Sequence, residues 1–149
     1  VQPQRGQILH LRLEGQDTSR WPVLYPMTSH YLLTFEQGRV VVGATRETGA
    51  GFDYRATAGG VAEVLEAGLA VAPGLAHATI IETRIGFRPM PPDGRPLLGT
   101  VPRLPGLVIA NGLGPSGLTA SPFAGRIAAQ LALREAPPIS LAPYDPLRV

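Results

Sequence analysis

The chain has 149 residues, 44% of them apolar and only 16% charged, a balance that supports a compact core and excludes charge-driven disorder. It has no cysteine, which excludes disulfide scaffolds and thiolate metal sites and fits a reducing compartment. The net charge is only +2, and the basic residues, all arginine, are scattered singly along the chain. That pattern argues against a nucleic-acid partner.

No run approaches the roughly 18 continuous apolar residues of a membrane-spanning helix. The opening residues from Val1 to Gln7 lack the basic start and apolar core of a signal peptide. In Gln7–Leu13, leucines at 9, 11 and 13 alternate with His10 and Arg12, which predicts a half-buried strand. A proline-interrupted stretch from Gly15 to Ser29 reads as loop. Tyr31–Phe35 and Arg39–Gly43 then form a predicted hairpin closed at Glu36-Gln37-Gly38.

A first helix is expected over Thr57–Ala72, with Thr57 as N-cap, Val61, Val64, Leu65 and Leu69 at helical spacing, and Pro73-Gly74 as the stop. Ala78–Phe87 reads as a strand, Met90–Pro96 as an ordered turn, and Leu107–Ala110 as a short buried strand. The last helix ends near Arg134. Phe123, Ile127 and Leu131 fall on one of its stripes and Ala120, Ala124 and Ala128 on another. Ser121-Pro122 would supply an N-cap and a first-turn proline, so regular helix is expected only from there, with Gly112–Ala120 as loop. The order of elements gives an α+β fold, a mainly antiparallel sheet with two helices and then a C-terminal strand-loop-helix.

Gly112-Leu113-Gly114-Pro115-Ser116-Gly117 matches G-x-G-x-x-G literally. A dinucleotide fold needs a second parallel strand after the helix, and this helix runs instead into Ala136-Pro137-Pro138 and a proline-containing tail. The match is therefore not read as a Rossmann fingerprint. Its physical content remains: glycines let a flat ligand approach the backbone, and a helix N-terminus favours negative charge. His10, His30 and His77 are too far apart for metal-ligand spacing, no Ser/His/Asp arrangement is present, and Glu63 and Glu66 read as a solvated helix face.

Four segments together resemble the D-amino acid oxidase and glycine oxidase family of FAD-dependent oxidoreductases. Pro3-Gln4-Arg5-Gly6-Gln7 is similar to the family's P-x-[RK]-G-Q, and Arg39–Thr45 to its R-x-x-x-G-A-T hairpin strand. Gly86-Phe87-Arg88-Pro89 with Asp93–Gly99 resembles G-x-R-P…D-G-x-P-x-x-G, and Gly112–Pro122 resembles the closing glycine loop and helix. The four occur in family order across nearly the whole chain.

The resemblance implies a substrate-binding α+β domain over 1–100 and, over 101–149, a strand-loop-helix that completes an FAD-binding domain. The family's N-terminal Rossmann unit is not among these residues, so the chain alone is expected neither to hold FAD firmly nor to be active. Arg88 is the implied anchor of a substrate carboxylate, a task suited to a planar two-pronged guanidinium; by residue pattern alone it reads as a surface arginine. Tyr31 and, less directly, Tyr54 are implied substrate contacts, against the plainer reading of half-buried sheet aromatics. Gly112, Gly114, Pro115, Ser116, Gly117, Leu118 and Thr119 match the loop that lies against the flavin ring. Two departures stand out: Leu113 replaces a common histidine, and Pro115 offers no N–H where the glycine-oxidase branch tends to carry arginine. The implied chemistry is hydride transfer from substrate Cα to flavin N5, giving an imine, with no catalytic acid or base and no metal. A small amino acid or amine is the expected substrate, and the Rossmann portion of the same protein the expected partner; a homo-oligomer is compatible. Cytoplasmic placement is the default, with peripheral membrane attachment if the acceptor is a quinone. The alternative is a non-catalytic domain of the same family that binds a small carboxylate or another subunit.

Overall fold

The computed structural model describes residues 1–148. The described chain divides into two compact units, one of residues 5–87 and one of residues 1–4 with 88–148. Its strands are β1 (Gln2–Arg12), β2 (Tyr31–Thr34), β3 (Arg39–Gly43), β4 (Glu47–Thr48), β5 (Thr79–Met90), β6 (Leu97–Thr100) and β7 (Val108–Asn111), and its helices are α1 (Ala58–Val71) and α2 (Gly117–Ala132). The fold is α+β, as the sequence predicts.

In the first unit the strand order is β2-β3-β1-β4, with β5 also paired to β1. β1 and β3 run antiparallel, Leu9 opposite Val42 and Leu11 opposite Val40, and β2 pairs antiparallel with β3. Alternation therefore sends Leu9, Leu11, Leu32, Val40 and Val42 to one face, where they pack with Val64, Val61, Leu65 and Leu69 of α1. The β2–β3 connection is a type I′ turn: Gln37 and Gly38 have φ of 59° and 72°, and the Arg39 N–H donates to the Glu36 carbonyl at 3.3 Å. Gly38 is further required by space, because a Cβ there would sit 2.1 Å from the Leu13 carbonyl oxygen. α1 begins where predicted, with the Thr57 hydroxyl accepting from the Gly60 N–H at 3.2 Å.

The second unit holds the antiparallel pair β6–β7, Leu97 opposite Asn111 and Thr100 opposite Val108. Against it packs α2, with Leu98, Ala124 and Ile127 forming the core and Leu113, Ala128, Leu131, Leu141 and Tyr144 around them.

Four sequence expectations need correction. The strand expected to be buried at Leu107–Ala110 is β7, half-buried at Val108 and Ile109 and exposed at Ala110 and Asn111. β5 runs on through Arg88 and Pro89 to Met90 rather than ending at Phe87. α2 starts at Gly117, so Ser121 and Pro122 lie inside it. Pro122 is the sixth residue of α2, past the four N–H groups that lack a partner in any case, and its ring removes the bond that this position would make to the Leu118 carbonyl; beside it the Ser121 hydroxyl donates to the Gly117 carbonyl. The buried stripe of α2 joins Ala124, Ile127 and Leu131 and leaves Phe123 46% exposed. Among the described residues no helix is long and apolar enough to cross a membrane.

Candidate functional site

The strand β5 sets out the first group of residues. Its period of two places Arg88 and Met90 on one face and Phe87 and Pro89 on the other. Arg88 is half-buried. Met90, two residues on, has its sulfur 2.7 Å from where a Cβ at Gly114 would be, and a Cβ at Gly112 would lie 2.3 Å from Pro91 Cγ. Both glycines have positive φ, 73° at Gly112 and 52° at Gly114. They are thus required twice, by backbone conformation and by the close approach of the end of β5. In this way the second unit brings Arg88 and the glycine turn onto one scaffold.

The turn itself is more specific than the motif suggested. Gly114–Ser116 forms a single 3₁₀ turn that leads directly into α2. The Ser116 N–H is used within it, donating to the Leu113 carbonyl at 3.1 Å, and Pro115 has none to offer. What remains is the first turn of α2, whose backbone N–H groups at Gly117, Leu118 and Thr119 carry the positive end of the helix dipole. No charged side chain occurs from Gly112 to Gly125, and the Leu118 side chain is 98% exposed. A site of backbone donors, a helix terminus and bare apolar surface fits one edge of a flat, uncharged ring that takes up electron density. Leu113 is committed to the core around Ile127.

Tyr31 and Tyr54 belong to the first unit. Tyr31 opens β2 opposite Gly43, and Ile8 of β1 faces Gly43 from the other side. A Cβ at Gly43 would meet Ile8 Cγ2 at 2.7 Å and the Tyr31 ring at 2.8 Å, so the glycine of the hairpin motif is what lets the tyrosine ring lie over the strand. Tyr54 is 71% exposed. Its ring meets Phe87 edge-on at 4.8 Å between centroids, and Phe52 does the same at 5.1 Å.

The residues that sequence reasoning missed form a buried polar network behind that aromatic group. Gln7 is fully buried. Its amide nitrogen donates to Glu47 Oε1 at 2.7 Å and to the Thr57 hydroxyl at 2.8 Å, while its carbonyl accepts from the Thr57 N–H at 3.0 Å. Arg5 Nε donates to Glu47 Oε2 at 2.9 Å, Nη2 pairs with the same oxygen, and Nη1 contacts Asp53 Oδ2 at 2.9 Å. The Thr45 hydroxyl links the two halves, accepting from the Gln7 N–H at 2.9 Å and donating to Glu47 Oε1 at 2.6 Å. Burial alone would push the Glu47 carboxyl up, but hydrogen bonds from Thr45, Gln7 and Arg5 outweigh it and hold it below its ordinary value. Asp53 is held well below the usual carboxylate range, first by its hydrogen bonds from Arg55. The P-x-R-G-Q and G-A-T motifs are therefore two ends of one hydrogen-bonded cluster. The available signal was Glu47 itself, an acid two residues beyond Thr45.

A cavity of about 520 Å³ at the hairpin end of the first unit is lined by Arg12, Thr34 and Arg39 among others and by none of the predicted site residues.

The family model of FAD dependent oxidoreductases, the DAO family, matches residues 1–131. The chain belongs to that family. It is 51% identical over 144 residues to the uncharacterized oxidoreductase YurR of Bacillus subtilis, covering 96% of this chain and 39% of that protein. The structure of iminodiacetate oxidase from Chelativorans sp. BNC1 superposes with a TM-score of 0.90 at 59% identity, over 97% of this chain and 39% of that one. Glycine oxidase from Geobacillus kaustophilus superposes with a TM-score of 0.84 at 28% identity, over 99% of this chain and 39% of that one. The chain thus spans about two fifths of the length of these DAO-family relatives.

Proposed function

We propose that the full protein oxidises a small amino acid or amine that bears a carboxylate, of the glycine or iminodiacetate type, with FAD as cofactor. When bound, FAD supplies a two-electron acceptor that takes hydride from the substrate carbon next to nitrogen, leaving an imine for water to hydrolyse. In this reading Arg88 pairs with the substrate carboxylate through two parallel hydrogen bonds, and Tyr31 and Tyr54 are further substrate contacts. The first-turn N–H groups at Gly117, Leu118 and Thr119 hold the electron-accepting edge of the ring and favour the negative charge that develops there. Gly112 and Gly114 keep that turn against Met90 and Pro91, and Pro115 and Ser116 shape it without offering a backbone N–H to the ring.

The observation that carries the reading is the placement of Arg88 and the glycine turn in one unit, tied through Met90 two residues along the same strand face. The likeness to an iminodiacetate oxidase at 59% identity supports an anionic substrate with a small or secondary amine. The test is the full-length protein, its visible spectrum, and its anaerobic bleaching by glycine, sarcosine and iminodiacetate beside the corresponding amines without carboxylate. Bleaching by the carboxylates, weakened in Arg88→Ala by about 2 kcal/mol or more, roughly thirtyfold in kcat/KM, is the expected result. A full-length protein that binds no flavin, or Arg88→Ala with unchanged kcat/KM, would refute it.

A further inference from the structure

We propose that Glu47 is a positioning residue: through Arg5 and Gln7 it fixes the irregular segment 49–56 so that Phe52 and Tyr54 are held against Phe87. That Tyr54 touches substrate rests on the function proposed above; the positioning itself does not.

The segment has little of its own to hold it. It lies between β4 and α1, contains no regular structure, and includes Gly49 and Gly51, both at positive φ, 84° and 62°. Glycines with open space around them, as these have, make a chain conformationally free. Phe52 and Tyr54 are largely exposed, so burial does not fix them either.

The network pins the segment at its start, its middle and its end. At the start, Glu47 uses both carboxylate oxygens, Oε1 toward Gln7 and Thr45 and Oε2 toward Arg5. In the middle, the Arg5 guanidinium reaches the backbone carbonyls of Asp53 and Arg55 at 3.3 and 3.4 Å as well as the Asp53 carboxylate. Those two carbonyls flank Tyr54. At the end, the Gln7 amide grips Thr57 on both its N–H and its hydroxyl, at the cap of α1. Glu47 bonds Arg5 and Gln7 together, one through each oxygen. Without its charge the buried Arg5 loses its two-pronged partner and must rely on Asp53. Arginine can grip two carbonyls on either side of Tyr54 only while something on its other side fixes the guanidinium plane.

The test is Glu47→Gln in the full-length protein, which keeps the shape and removes the charge, with Asp53→Asn as the milder variant should the first not fold. Trypsin is a direct probe, since it cleaves after arginine and Arg55 sits within the held segment with its side chain largely exposed. Cleavage after Arg55 needs the segment to open. Glu47→Gln is expected to speed cleavage at Arg55 roughly tenfold while cleavage after Arg126 in α2 is unchanged. KM for the substrate rises several-fold, kcat stays within about twofold, and Tyr54→Phe in the Glu47→Gln background adds less than it does alone. Unchanged cleavage at Arg55 overturns the inference, as does faster cleavage everywhere, which would mean general destabilisation. Faster cleavage with unchanged KM overturns the role of the segment in binding. If no carboxylate amine reduces the wild type, the proposed function falls, and the ratio of cleavage at Arg55 to that at Arg126 still decides the positioning.

Discussion

Two neighbouring glycines in α1 should respond to alanine with opposite signs. Gly59 is exposed, and a Cβ there meets nothing within 4 Å. Gly59→Ala therefore gains only helix propensity, at most about 0.8–1 kcal/mol at this second position of the helix. At Gly60 the same atom would stand 2.1 Å from Gln7 Nε2 and 2.5 Å from its Cδ. Gln7 could swing away only by giving up the bonds of that nitrogen to Glu47 and Thr57. Two buried hydrogen bonds at about 1 kcal/mol each, with overpacking strain of about 1–3 kcal/mol and less the propensity gain, leave Gly60→Ala destabilised by about 2–4 kcal/mol. For a chain of this size that is a fall in Tm of roughly 5–15 °C, against a rise of a few degrees for Gly59→Ala. Thermal melts of both variants beside the wild type, monitored by circular dichroism at 222 nm, measure the pair. Equal shifts of the same sign would refute the claim that Gln7 is held rigidly by its network.

The second unit supplies two further outcomes. Gly114→Ala puts a side chain where the Met90 sulfur is and strains a residue at φ 52°; flavin retention on gel filtration should fall, and adding Met90→Ala should restore part of it, whereas no loss would detach this turn from cofactor binding. Asp93 has a pKa lowered to about 2, chiefly by hydrogen bonds from Arg148, whose Nε and Nη2 reach it at 2.8 and 2.9 Å. Because the folded value lies below the ordinary 3.8, the contribution of this pair is complete above about pH 4 and disappears as pH falls through about 2. Arg148→Ala should move the Asp93 titration, read by carboxyl NMR, back toward the ordinary range; an unmoved pKa would rule out the pair as its cause.

Much of this was written locally in the chain. The strand at the β1 leucines, the Glu36-Gln37-Gly38 turn and the Thr57 cap each rest on contacts within a few residues or on a period, and each occurs where expected, although β1 is buried on both faces there, His10 included, rather than half-buried. Arg88 beside Gly86 and Pro89, and the glycine run after β7, were equally legible as patterns. Their settings were not. The start of α2 at Gly117 depended on a 3₁₀ turn whose Gly114, with Gly112 just before it, lies against Met90 and Pro91 more than 20 residues earlier, and a cap-and-proline signal at Ser121-Pro122 cannot report that. β6 pairs with β7 across a turn and was read in the sequence only as part of a motif. Burial of Gln7 and the union of Arg5, Thr45, Glu47, Asp53 and Thr57 span up to 50 residues. Residue type and periodicity determined which strands, helices and turns this protein makes. Which polar side chains would meet was decided only when β1, the strand after the hairpin and the cap of α1 were folded together, because a hydrogen bond of about 3 Å depends on tertiary distance and carries no sequence period.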